Sequence, residues 1–183
     1  MRMDSLLPIK DSILLEFDYF EDIRGSFITG WESYNKKYSG INFKPVSSYF
    51  SYNRKNVIRG FHLQDRPFEQ AKLVQCISGE IWDVIVDTRI NSNTFSKWFA
   101  IKLNPKERKA LYIPRGCAHG FLSLCEETIV NYLIEGDFKP EFASSFFWND
   151  PKLKIEWPIS YPILSEKDSK SQSFEDYIRK RSY

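Results

Sequence analysis

The chain has 183 residues, enough to bury the core of one domain, and its 26 lysines and arginines are nearly offset by 24 acids. Those charges are interspersed instead of forming a stripe, which argues against a nucleic-acid surface; Arg2, Asp4, Pro8, Lys10 and Asp11 break up the first apolar patch, which argues against a signal peptide or spanning helix. Cys76, Cys117 and Cys125 form no C-x-x-C pair and suit a reducing, cytoplasmic compartment in which they are small apolar fillers.

In chain order, residues 12–20 begin apolar and then alternate weakly, and Asp22-Ile23-Arg24-Gly25 is a turn signal leading into 26–31, a hairpin in outline. Residues 32–38, with Gly40 as the stop, predict a short helix. Strand-like alternation covers 43–52, and the turn at 53–56 leads into 57–63. Were that strand regular, Arg59 and His62 would lie on opposite faces, so a kink at Gly60 is needed for both to enter one pocket. After a polar loop at 64–69, β-branched residues favour strands over 71–77, 81–86, 98–103, 110–113, 119–124 and 128–134. Pro140, Pro151, Pro158 and Pro162 then break the chain into short extended pieces. A last short helix begins at Ser173 with Asp176 as its cap partner, and Arg179-Lys180-Arg181 read as a frayed terminus. Turn signals at roughly 8- to 12-residue intervals are the mark of an all-β sandwich or barrel. The expected architecture is an all-β, double-sheet jelly roll with a few short helices at the periphery and C-terminus. With no repeat, low-complexity segment or linker, residues 1–183 are expected to form one domain, with a core over about 12–168 and a tail at 169–183.

The chain has two histidines, His62 and His119. Their surroundings resemble the two halves of the metal-binding pattern of cupin-type barrels. Pro114, Gly116 and His119 match the second half, and His62 and Gly79 match the first. Gln64, however, stands in place of a second histidine, and Lys72 in place of the carboxylate ligand. Two imidazoles beside an ammonium make a poor zinc or iron site, so no metal is expected, and the lysine supplies fixed positive charge instead.

Between Asp22 and Asp168 the sequence resembles the sugar-nucleotide epimerases typified by dTDP-4-dehydrorhamnose 3,5-epimerase. The resemblance is carried in order by Asp22-x-Arg-Gly-x-Phe27, Arg59-Gly-Phe-His62, Gln70-Ala-Lys-Leu-Val74, Gly79-Glu-Ile-Trp-Asp-Val84, Val86-Asp-Thr-Arg89, Ile113-Pro-x-Gly-x-Ala-His-Gly-Phe-Leu122, Ile155-x-Trp-Pro158 and Leu164-Ser-x-Lys-Asp168. It implies a metal-free, cofactor-free jelly-roll isomerase acting on a nucleotide-linked 4-keto-6-deoxyhexose in deoxysugar biosynthesis. It further implies a homodimer with N-terminal strand exchange. A C4 ketone acidifies the hydrogens at C3 and C5, and inversion needs a base, an acid on the opposite face and a cation at the enolate oxygen. His62 suits the base because imidazole titrates nearest neutrality. The resemblance makes Asp168 the carboxylate that orients and assists it, Lys72 the cation and Tyr132 the proton donor. It also makes Arg59 and His119 contacts to diphosphate or sugar, and brings Arg24 and Phe27 from the partner subunit to the nucleotide.

This chain departs from the family at recognition positions. Thr29 stands where glutamate is usual, Ser47 and Tyr49 where glutamine and asparagine are usual, and Phe138 where tyrosine is usual. A relative acting at C3 or C5 alone, or on a CDP-linked or other nucleotide 4-keto sugar, therefore stays open, as does a catalytically silent nucleotide-sugar-binding barrel. Singly, His62 is as readily a half-buried structural histidine, Lys72 a solvated strand lysine, Tyr132 a core phenol with a wet hydroxyl and Asp168 a loop acid. Their joint spacing favours the catalytic reading.

Overall fold

A computed structural model describes residues 7–33 and 41–181. The helix expected over 32–38 lies almost entirely outside them. The described residues form β1 (Ile13–Glu16), β2 (Tyr19–Asp22), β3 (Gly25–Ile28), β4 (Ser47–Asn53), β5 (Ile58–Gln64), β6 (Ala71–Ser78), β7 (Ile81–Asp87), β8 (Trp98–Leu103), β9 (Lys109–Ile113), β10 (Cys117–Ser123), β11 (Thr128–Glu135) and β12 (Ala143–Ser145), followed by α1 (Glu166–Ser169) and α2 (Phe174–Arg181). One antiparallel sheet runs β1-β9-β6-β11-β4 and the other β12-β5-β10-β7-β8, while β2 and β3 pair only with each other. The two facing sheets are the expected cupin-type jelly roll.

Period-two alternation decides what each strand buries. Val74, Cys76, Ile81, Ile85, Leu111, Ile113, Phe121 and Val130 meet between the sheets. The opposite faces are covered as well, which is why neighbouring residues on one strand are so often both buried. Phe61, Val84 and Val86 pack outward against Phe146, Leu153, Ile155, Phe174 and Tyr177. Leu73 and Ala110 pack outward against Leu15, Phe17, Ile41 and Phe43. Each such side chain contributes on the order of 2 kcal/mol, so the C-terminal segment is part of the body. Its helix starts as the sequence predicts, with the Asp176 amide donating to Ser173 Oγ at 3.0 Å. Arg181, by contrast, is docked and not frayed: its guanidinium donates to Thr88 Oγ1 at 2.9 Å. The proline-broken stretch also yields β12, a three-residue edge strand paired with β5. No helix among the described residues is long and apolar enough to cross a membrane.

Candidate active site

The site is assembled from both sheets, and its geometry begins at Gly60. Along β10 the partners of β5 step from His119↔His62 to Phe121↔Arg59, two residues against three. This is a β-bulge, and it turns Arg59 and His62 into the same cleft, as the kink expected at Gly60 requires. Gly60 has φ +125°, and a Cβ there would stand 2.6 Å from Gly120 Cα and 2.7 Å from the His119 carbonyl oxygen. Only glycine fits so close to β10.

Arg59, His62, Lys72, Phe138 and Asp168 line a cleft of about 280 Å³, together with Gln64, Gln70 and Lys167. His62 Nε2 lies 2.6 Å from Asp168 Oδ1. The imidazole is 40% exposed and the carboxylate 5%, so the ring faces the cleft while its partner is sealed behind it. A proton shared with Asp168 leaves the other ring nitrogen free to act as a base. Burial works to raise the Asp168 carboxyl, but hydrogen bonds from His62, the Ser165 hydroxyl and the Gly60 backbone outweigh it and hold it below the ordinary carboxylate value. Asp168 stands in the single turn of α1, where its own amide donates to the N-capping Ser165 Oγ at 3.1 Å.

Lys72 enters from β6 in the other sheet and donates to the His62 carbonyl at 3.3 Å. Burial pushes its ammonium down to about 8, opposed by the negative charge of Asp83. Asp83 was not among the residues the sequence analysis selected. It follows Ile81 on the interior face of β7, and an acid on an apolar face is the signal that could have found it. Its Oδ1 is 2.6 Å from His119 Nε2, both side chains being buried, and its Oδ2 has no hydrogen-bond partner. The barrel thus holds two imidazole–carboxylate pairs of equal length, of which only His62 opens to the cleft. Burial lowers the His119 pKa and Asp83 opposes it.

Tyr132 projects from β11 on the same sheet as Lys72, with its ring 6.1 Å from that of His119. Its hydroxyl shares a 3.1 Å hydrogen bond with Ser51 Oγ, and burial raises its pKa far above the ordinary phenol value, with the Ser51 bond opposing. Ser51 and Asn53 on β4 are further residues the sequence reading missed; Asn53 Oδ1 accepts from Arg59 Nε at 2.7 Å and so aims the guanidinium. Ser47 and Tyr49 share the inner face of β4 with Ser51, Tyr49 standing directly opposite Tyr132. Arg24 and Phe27 are not brought to the cleft within this chain. They sit on the exposed β2–β3 hairpin, where Arg24 is paired with Asp22 at 2.6 Å. Among the described residues no group of three or more His, Cys, Asp or Glu side chains could hold a metal ion. Gln64, at the position of a second histidine ligand, spends its amide on the carbonyls of Phe68 and Asp137 and on the Lys139 amide.

A jelly roll whose interior brings together a histidine–carboxylate pair, a half-buried lysine and a phenol from the facing sheet holds the groups that an isomerase working by proton transfer at carbon needs. The sequence profile of the dTDP-4-dehydrorhamnose 3,5-epimerase family matches residues 6–176. The chain is 40% identical over 175 residues to the enzyme of that name from Pseudomonas aeruginosa, covering 93% of this chain and 94% of the relative. Among solved structures it resembles the Bacillus anthracis dTDP-4-dehydrorhamnose 3,5-epimerase with TDP and pyrophosphate bound (TM-score 0.88, 38% identity, 94% and 99% of the two chains). It also resembles the Legionella pneumophila epimerase in complex with dTDP-4-keto-L-rhamnose (TM-score 0.85, 33% identity, 91% and 89%). The chain belongs to the dTDP-4-dehydrorhamnose 3,5-epimerase family.

Proposed function

We propose that the protein epimerises dTDP-4-keto-6-deoxyglucose at C3 and C5, taking a proton from one face beside the ketone and returning one to the other. The observation that carries this reading is the 2.6 Å His62–Asp168 pair, open on its imidazole side to a cleft shared with Lys72. His62 removes the proton, and the C–H electron pair moves into a C=C bond as the carbonyl oxygen gains negative charge. Lys72, still mostly protonated at neutral pH, stabilises that oxygen; at a ~4 Å separation and an effective dielectric of ~20 a unit charge pair is worth about 4 kcal/mol. Tyr132 delivers a proton from the facing sheet, and the high pKa of its phenol keeps that proton available until a strongly basic carbanion forms. The bound ligands of the Bacillus and Legionella relatives support a dTDP sugar.

Phe138, exposed at the cleft, favours a second reading, in which the missing tyrosine hydroxyl restricts inversion to one carbon. The remaining assignments belong to the same proposal. Arg59 and His119 serve the diphosphate or sugar, Ser47 and Tyr49 the sugar-nucleotide end of the pocket, and Arg24 and Phe27 reach it from the partner subunit of a homodimer by strand exchange. Residues 1–183 act as one domain, in a cytoplasm whose reducing conditions suit the free thiols of Cys76, Cys117 and Cys125. Incubation with the dTDP sugar in deuterated water, followed by NMR, tests the reading. Deuterium at both C3 and C5, lost in His62→Ala, is expected. Deuterium at one carbon selects the single-centre reading, and none at either would sink both.

A further inference from the structure

The C-terminal segment is fastened to β5 and the loop after it at several points, and the His62–Asp168 pair is only one of them. Another is Asp65, the first residue after β5 and three beyond His62. One of its carboxylate oxygens accepts from the Ser144 hydroxyl on β12. The other accepts from the Tyr177 hydroxyl at 2.9 Å and lies 3.3 Å from Arg181 Nε. The Arg181 side chain is 15% exposed and also reaches Glu69 at 3.5 Å, farther along the same loop.

An apolar path runs beside this polar one. Tyr177 packs 5.5 Å from Phe146, and Phe146 stacks at 5.0 Å on Phe61, the residue before His62. Helix α2 therefore grips β5 immediately before and shortly after the histidine. The loop it holds, residues 65–70, joins the strand of His62 to the strand of Lys72 and forms one wall of the cleft through Gln70. The burial of Phe174 and Tyr177 already secures the helix. Three donors converging on one carboxylate are better explained by geometry than by stability.

We propose that Tyr177 and Arg181 are positioning residues, acting through Asp65 to hold His62 in register with Asp168 and Lys72. The inference rests on the reading of His62 as the base. It is tested by measuring kcat and KM for deuterium exchange in Tyr177→Phe, Asp65→Asn, Arg181→Gln, Arg181→Lys and the Asp65→Asn/Arg181→Gln double variant, with His62→Asn alongside, at a temperature where melting curves show each protein folded. A small displacement of a reacting group costs up to about a hundredfold in rate. Asp65→Asn and Arg181→Gln are therefore expected to lower kcat about ten- to a hundredfold with KM within about twofold. Tyr177→Phe, which keeps the ring packing, should lower kcat in the same direction. Residues acting through one partner give non-additive effects, so the double variant should be no worse than its poorer parent, and Arg181→Lys should recover part of the loss. Wild-type kcat in the folded Asp65 and Arg181 variants, or losses that multiply in the double variant, overturn the inference alone. Turnover surviving in His62→Asn overturns the base assignment and the inference with it.

Discussion

Lys72 carries the sharpest conflict between folding and chemistry in this protein. Its half-buried side chain sets the ammonium between the sheets, where desolvation disfavours the charged form and brings its pKa from 10.5 to about 8. The unfolded chain therefore holds more protons than the folded one between pH 8 and 10.5, so this residue's contribution to stability rises with pH through that window. Relative to Lys72→Met, the wild type should gain on the order of 3 kcal/mol across it in denaturant titrations; a flat difference would mean that the ammonium is not desolvated. Activity should run the other way. In the role proposed for Lys72, loss of the proton removes the charge that meets the enolate, so kcat/KM is expected to fall on the alkaline side with a midpoint near 8. In Lys72→Arg, where the charge cannot be titrated away, whatever activity survives should lack that limb. Lys72→Met should lose about a hundred- to a thousandfold in kcat. Residues such as Lys72 and His62 were legible because a cation and an imidazole interrupt strand patterns at a known spacing. The pairing of His62 with Asp168, 106 residues away, was not derivable from local pattern and came through resemblance alone. Asp83 was overlooked because an acid between apolar neighbours reads as an ordinary strand residue until the face it occupies is known.

At the scale of elements, β5 shows where sequence pattern reaches its limit. Apolar, β-branched runs placed most strands within a residue or two, because the central strands are covered on both faces and their apolar content is correspondingly dense. Regular alternation along β5 put Arg59 and His62 on opposite faces, and it took a bulge at Gly60, opposite β10, to bring them together. The glycine could be seen in the sequence, but the strand it presses against could not. Gly60→Ala should test how much the bulge matters. Its methyl group would meet the β10 backbone at 2.6 Å and force a left-handed φ on an L side chain. A loss of roughly 3 kcal/mol or more is expected in thermal or denaturant unfolding. Gly30→Ala, where the added methyl meets nothing within 4 Å, is the matching control and should be near neutral. The short β12 escaped the sequence reading for a related reason: three residues between prolines carry no period of their own, and pairing to β5 defines the strand.

At the scale of the whole molecule, one chain exposes apolar surface in two places. β4 is the edge of its sheet, and it exposes Tyr49, Phe50 and Tyr52. The β2–β3 hairpin pairs with neither main sheet and exposes Phe20, Ile23 and Phe27. A two-stranded hairpin is marginal in water by itself, and an apolar edge strand is a standing template for association. In the proposed dimer the hairpin brings Arg24 and Phe27 to the partner's cleft. Mixing two defective subunits separates this arrangement from a site completed within one chain. Arg24→Ala and His62→Ala homodimers are each expected to be nearly inactive. If Arg24 serves the neighbouring site, a heterodimer of the two carries both defects in one cleft and none in the other. Random reassortment makes about half of all dimers heterodimers, so about a quarter of the wild-type turnover should return after mixing. Were Arg24 to serve its own cleft, every site in every dimer would carry one defect, and exchange of subunits would restore nothing.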